Sequence, residues 1–349
     1  MQVCCINPLT DPRWRLFVES HPEASIFHTP EWLEALRRTY GYEPIAYAST
    51  CAAGHIKSGI PFCRVNSLLT GRRLVSLPFS DHCQPLVGNP DDLIALLEAA
   101  RHDAERQRLK YVEIRPLISY EGSVQTRAKF EESSRVVVHR IDLRRSEQDL
   151  LNSFHKDCIR RKIVRTGREH LRYEEGRSAE LLGKFYRLQL LTRRRHQIPP
   201  QPLAWFRNLI ECLGEKLKIA VVSKGDTAIA SIITLSFKNV VMDKYNCSDP
   251  QFNSLGGPVF LIWRSIQESL TDGLHHFDLG RSDYTSPGLI AFKEHWGAAR
   301  YPVSYFRYPA PAEPHSHESR LAAAGKRFLA TVPDSLFAAL GGLLYRHAG

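Results

Sequence analysis

The chain has 349 residues, 43% of them hydrophobic and 24% charged, which is the composition of a globular protein and excludes a disordered, collagenous or membrane-spanning one. At this length a single hydrophobic core usually stops growing, so two domains are expected. Lys and Arg number 47 against 37 Asp and Glu, a formal charge of +10 that favours anionic partners such as nucleotide phosphates, nucleic acid or a lipid headgroup surface.

The first thirty residues include Asp11, Pro12, Arg13, Arg15, Glu19 and Pro22 where the apolar core of a secretory signal would stand, so a cytosolic protein is expected. The most apolar late stretch, 336–345, falls far short of the ~20 residues that span a bilayer. The 8 cysteines are scattered without a CxxC pair and are expected to be reduced thiols. Looser groupings, His155 with Cys158, His275 with His276 and His315 with His317, lack four convergent ligands at finger-like spacing, and no metal site is expected.

In chain order, 11–21 and 30–40 read as helices, the second with Thr29 as cap and Pro30 at its first position. Strand-like runs follow at 44–48, 56–65 and 73–78, punctuated by turn residues such as Gly54, Asn66 and Gly71. Leu93, Leu96, Leu97, Ala100 and Ala104 recur at helical spacing over 91–107, and a strand is expected at 111–114. The second half repeats this order. A capping-box-like start at Ser146 to Asp149 opens a helix expected to run to about Arg165, and a strand at 171–174 precedes helices at 179–195 and 203–213. Strands at 217–223, 227–237 and 240–246 read as an antiparallel meander. A helix from Gly256 to Asp272 then feeds a strand at 276–279. The junction running from Leu109 to Ile114, with Glu113, matches that from Leu274 to Leu279, with Asp278, and suggests two copies of one α/β unit joined near 143–147.

Charge is concentrated in the second half. Lys156, Arg160, Arg161, Lys162, Arg165, Arg168 and Arg172 face only Asp157 and Glu169 in the same stretch, and 184–196 adds five basic residues with no acid. Such a concentration suits a polyanionic or pyrophosphate-linked ligand or an anionic membrane face, although charge runs are more often solvated helix faces. No RRM, KH, zinc-finger or helix-turn-helix signature accompanies it, so sequence-specific nucleic-acid recognition is disfavoured.

The motif Phe277-Asp-Leu-Gly-Arg-Ser282, followed by Ala291-Phe-Lys-Glu-His-Trp-Gly297, resembles the FemAB/FemX-type acyltransferases and their BioF2-like relatives. The likeness extends to Ile26-Phe-His-Thr-Pro-Glu-Trp32, Ser76-Leu-Pro-Phe-Ser-Asp81 and Thr192-Arg-Arg-Arg-His196. It implies an α/β fold of two tandem GNAT-like domains, each a mixed, mainly antiparallel sheet flanked by helices. The expected division is 1–145, 146–310 and a C-terminal helical tail at 311–349. Transfer of an acyl or aminoacyl group to an amine of a cell-envelope, peptidoglycan or polysaccharide precursor is implied, with acyl-CoA or aminoacyl-tRNA as co-substrate and no tightly bound cofactor.

The resemblance puts Phe292 and Lys293 at the acyl-transfer centre, where a cation stabilises growing negative charge; the bland alternative is a solvated surface lysine. Asp278 is either a group that orients or deprotonates an amine or a turn residue that holds Arg281. Arg281 and Ser282 suit a phosphate or carboxylate. Gln251, Asn253, Gly256 and Gly257 stand where a GNAT protein offers backbone N–H groups to the CoA pyrophosphate, and a plain helix cap is the alternative. Asp81, His82, Arg194 and His196 are further substrate-binding candidates by analogy, while Trp32 and Trp296 read as packing residues. The enzyme is thus expected to make an amide by direct attack, without a covalent intermediate. Two other readings stay open: a silent GNAT-like module that binds a nucleotide or polysaccharide precursor, and a basic scaffold at the inner membrane surface.

Overall fold

The computed structural model describes residues 2–118, 122–310 and 332–348. Two compact units are present, one within Met1–Val136, Pro302–His317 and Leu343–Gly349, the other within Val137–Tyr301 and Glu318–Gly342. The chain crosses between them at Val136/Val137, inside a strand and nine residues before the boundary expected at 145, and residues 302–310 return to the first unit.

The first unit opens with β1 (Val3–Ile6), α1 (Pro12–Ser20) and α2 (Pro30–Tyr40). The Thr29 hydroxyl accepts the Trp32 N–H, and Pro30 supplies the fixed φ of a first helical residue. A meander follows, β2 (Glu43–Thr50), β3 (Ile56–Ser67) and β4 (Gly71–Ser76), paired antiparallel throughout. Then α3 (Pro90–Arg106) leads to β5 (Tyr111–Ile114), which pairs parallel to β4. After α4 (Ser123–Thr126) comes β6 (Glu131–Asp142). The strand order here is β1-β2-β3-β4-β5, closed by β12 (Ala299–Tyr308) antiparallel to β5. Leu93, Leu96, Leu97 and Ala100 of α3 are buried against Ile45, Phe62, Val112 and Ile114, which is what the helical spacing requires.

The second unit carries α5 (Glu147–Ser153), a π-helical turn (Lys156–Arg160), α6 (Arg161–Thr166), β7 (Arg172–Gly176), α7 (Ala179–Arg195) and α8 (Leu203–Leu213). The meander β8 (Leu217–Lys224), β9 (Thr227–Phe237) and β10 (Val240–Ser248) follows. Next come α9 (Gly257–Thr271), β11 (His276–Asp283) parallel to β10, and α10 (Pro287–Glu294). Its strand order is β6-β11-β10-β9-β8-β7. The core joins Phe154, Ile159, Val222, Ile229, Ile262, Phe277 and Trp296.

Both units therefore carry the same sequence of elements, a meander, a helix and a strand parallel to the last meander strand, as the repeated junction implied. Two features differ from the sequence reading. The helix expected over 146–165 is broken at Phe154 and His155, both non-helical, because the His155 N–H is taken by the His295 carbonyl at 2.8 Å. Strands β1, β6 and β12 were not anticipated. The expected helical tail begins outside the described residues, whose last helix is α11 (Asp334–Ala348).

Candidate active site

The geometry centres on β10 and β11 of the second unit. Their parallel pairing covers Val240↔His276, Val241↔Phe277 and Met242↔Asp278 and stops there, although β10 continues to Ser248 and β11 to Asp283. A bulge between Asp243 and Tyr245 bends β10 at the same point. The two strands thus part just beyond Asp278.

Asp278 is fully buried. One carboxylate oxygen accepts the Gly280 N–H at 2.8 Å and the other accepts Arg140 Nε at 2.8 Å. Its charge is therefore held by Arg140 of β6. Gly280 adopts φ +70°, a left-handed conformation that a side chain would strain, and this kink lets Asp278 reach over its own backbone. Lys293 is only 6% exposed and so is not a solvated surface lysine. Its ammonium donates to the Gly280 carbonyl at 2.9 Å and the Arg281 carbonyl at 2.8 Å. Asp278 and Lys293 thus hold Gly280 of β11 through its N–H and its carbonyl, and Lys293 also holds Arg281.

Around them Phe292 packs half-buried near Trp296, which is completely buried, as Trp32 is in the other unit. Ser282 is buried, and its hydroxyl has no hydrogen-bond partner among the described residues. Arg281 is exposed. His139 of β6 is buried 3.8 Å from Glu294 Oε1, and burial, helped by the Lys293 charge, lowers its pKa so that the ring is neutral. Neither Arg140 nor His139 was singled out from sequence; the β-branched run Val136-Val-Val138 before them was the signal of a strand.

The second part of the site is the start of α9. Gln251 and Asn253 are exposed in a 3-10 turn (Pro250–Leu255), and Gly256 follows at φ +76°. No side chain caps this helix, and its first turn has no acid, so its leading N–H groups remain open to an anion. A Cβ at Gly257 would lie 2.9 Å from Ala230 Cβ, and one at Gly256 would lie 3.0 Å from Thr166 Cγ2 and 4.0 Å from Lys162 Cβ. The basic segment thus reaches the helix N-terminus through α6. Within that segment Arg161 and Arg165 are engaged with Asp157 and Glu169.

The remaining candidates sit elsewhere. Arg194 of α7 pairs with Asp334 and lies 4.8 Å from the Phe337 ring centroid, so it docks α11, while His196 is an exposed helix end. Asp81 and His82 belong to the first unit. There the Asp81 carbonyl accepts the Tyr305 hydroxyl at 2.7 Å and His82 is buried edge-on to Phe27.

Residues 153–294 match the family model described as an acetyltransferase (GNAT) domain. No curated protein matches the chain in sequence. Among solved structures, FemX superposes with TM-score 0.70 at 16% identity, over 88% of this chain and 97% of that one. A tandem GNAT protein from the clavulanic acid biosynthesis pathway gives 0.58 at 10%, over 89% and 99%. The L-PGS of Bacillus licheniformis gives 0.56 at 14%, over 93% and 98%. At these identities the likeness establishes the fold. Residues 153–294 thus carry an acetyltransferase (GNAT) domain, and the chain has the fold of FemX and of tandem GNAT proteins.

Proposed function

We propose that the second unit transfers an acyl group from acyl-CoA to an amine. The observation that carries this reading is the contrast between two equivalent helix starts. In the first unit α3 is closed by Asn89, whose side chain accepts the Asp92 N–H at 2.9 Å, and its first turn holds Asp91 and Asp92. Such an end repels phosphate. In the second unit the start of α9 is uncapped, free of acids and flanked by Lys162, which favours the pyrophosphate of CoA. The strand pairs differ in the same sense. β4 and β5 stay paired to Ser76↔Ile114, and Arg115 then donates to the Leu77 and Ser80 carbonyls, so the first unit fills its own opening.

In the second unit the thioester would lie between the parted ends of β10 and β11. The amine forms a bond to the acyl carbon, the carbon–sulfur bond breaks, and the leaving CoA thiolate takes up the proton that the amine loses, giving the amide and the free CoA thiol. Lys293 and Asp278 hold the Gly280–Arg281 edge, and the buried ammonium adds positive potential where the carbonyl oxygen becomes negative. Both act as positioning residues. The exposed Arg281 and the buried Ser282 hydroxyl are the groups that would meet a phosphate or carboxylate of the acceptor. The acceptor in this reading is an amine of a cell-envelope or polysaccharide precursor, met in peripheral contact with the inner membrane, and the fold shared with FemX and L-PGS is compatible with it. No helix among the described residues is long and apolar enough to cross a membrane.

The test offers acetyl-CoA, longer acyl-CoA and aminoacyl-tRNA in turn with amino-sugar nucleotides and amine-bearing peptides, reading thiol release and product mass. Amine-dependent thiol release from an acyl-CoA is expected. Transfer from aminoacyl-tRNA alone would replace the donor, and no transfer from any carrier, with CoA still bound, would favour the silent module.

A further inference from the structure

Read along the chain, His155 and Cys158 are two ligands short of a metal site. The fold brings His295 to them. One ligand atom from each of His155, Cys158 and His295 lies within 4.8 Å of the others. The backbone frame is already tied, since the His155 N–H donates to the His295 carbonyl at 2.8 Å, and the two imidazole centroids are 4.5 Å apart. The geometry points to a zinc site made by these three side chains, with water as fourth ligand.

Three independent features support it. The helix is interrupted at His155 and resumes as a wide π-helical turn, Lys156–Arg160, which turns Cys158 back toward His155. Such turns are rare and concentrate at functional positions. His295 ends α10, where the carbonyl end of the helix favours a cation. The donor set is two imidazoles and a thiol, which suits zinc and not calcium or magnesium. His155 is exposed while Cys158 and His295 are half-buried, so an ion can enter and the side chains can adjust. That adjustment is small: tetrahedral zinc bonds of 2.0–2.3 Å put ligand atoms about 3.5 Å apart, so the three need to close by about an ångström.

The ligand chemistry balances. Cys158 loses its thiol proton to solvent and binds as thiolate. His155 Nδ1 now accepts the Cys158 N–H at 3.2 Å, which marks it as the unprotonated nitrogen of a neutral ring. Zinc takes that lone pair, and the Cys158 N–H, at an exposed helix start, turns to water. The ion would thereby clamp the turn that leads into Lys162 to the end of the helix that carries Lys293.

The test uses the full-length protein, freed of metal and titrated with Co2+ as a coloured stand-in. One equivalent is expected to produce a thiolate-to-cobalt charge-transfer band with tetrahedral ligand-field bands, all bleached by Zn2+. Cys158→Ser should abolish the charge-transfer band, and Cys51→Ser, at an exposed thiol of the other unit, should leave it unchanged. His295→Gln should weaken Co2+ binding by more than the about 10- to 100-fold that losing an outer-shell partner costs. Circular dichroism checks the fold of each variant, and His155→Gln serves as second imidazole variant if His295→Gln unfolds. A wild-type protein that gives no charge-transfer band, or a band that survives Cys158→Ser, overturns the proposal.

Discussion

Lys293 is a cation that has given up nearly all of its water and taken two backbone carbonyls in exchange. Lys293→Met keeps the stem and removes the charge, so it should both unpair those carbonyls, costing about 1–3 kcal/mol, and lower kcat by about 10²- to 10³-fold. Urea unfolding and turnover measured on the same preparation separate the two effects; unchanged kcat with lowered stability would make the residue purely structural. His28 is the other informative residue. Its ring is fully buried, accepts the Ser25 N–H at 3.0 Å and donates to the Gln84 carbonyl at 2.7 Å. Burial lowers its pKa from 6.5 to about 4. The unfolded chain therefore binds the proton first as pH falls, so the contribution is complete above about 6.5 and is lost toward 4. Stability of the first unit should fall by roughly 3 kcal/mol across that window, and His28→Gln should flatten the profile seen in pH-dependent unfolding.

At the scale of elements, the two helix starts make the molecule asymmetric. α3 and α9 hold the same place in their repeats, yet one is capped and acidic and the other is bare beside α6. Lys162→Glu reverses a charge beside the bare end and should raise the Kd of CoA about tenfold at low ionic strength, with the effect shrinking as salt screens it. Equal affinity of wild type and variant at low salt would remove α6 from the donor site. The parallel strands carry a matching theme. Each repeat buries an acid in its second parallel-paired strand, Glu113 against Arg115 and Arg307, and Asp278 against Arg140. Paired burial of this kind costs several kcal/mol to break at one partner, which is a reason for both acids to be structural first.

For the whole molecule the proposed reading gives one donor site per chain, although both units carry the same order of elements. Calorimetric titration with CoA should give a stoichiometry of one, and a second site of similar affinity would contradict the filled opening of the first unit, where Arg115 holds Leu77 and Ser80. The same duplication explains why the chain is large without being repetitive in sequence. Its halves preserve the order meander, helix, parallel strand and differ in what finishes each turn.

Local signals were sufficient for much of this. The spacing of Leu93, Leu96, Leu97 and Ala100, the Thr29-Pro30 start and the Lys224-Gly225-Asp226 turn act within a few residues, so α2, α3 and the meanders were legible directly. The FK and DxGRS motifs likewise located β11 and α10. What sequence left open depends on partners far along the chain. Arg140 meets Asp278 across 138 positions, and the order of strands decides that pairing. The burial of Lys293 follows from α10 packing its ammonium onto β11, which no local pattern encodes. The break at His155 was invisible because the helical periodicity of Leu151, Phe154 and Cys158 is sound, and only the His295 carbonyl outbids the helix for the His155 N–H. That long-range bond also turns two unremarkable residues into three candidate ligands, because sequence sets side-chain chemistry whereas the tertiary fold sets which side chains share a point in space.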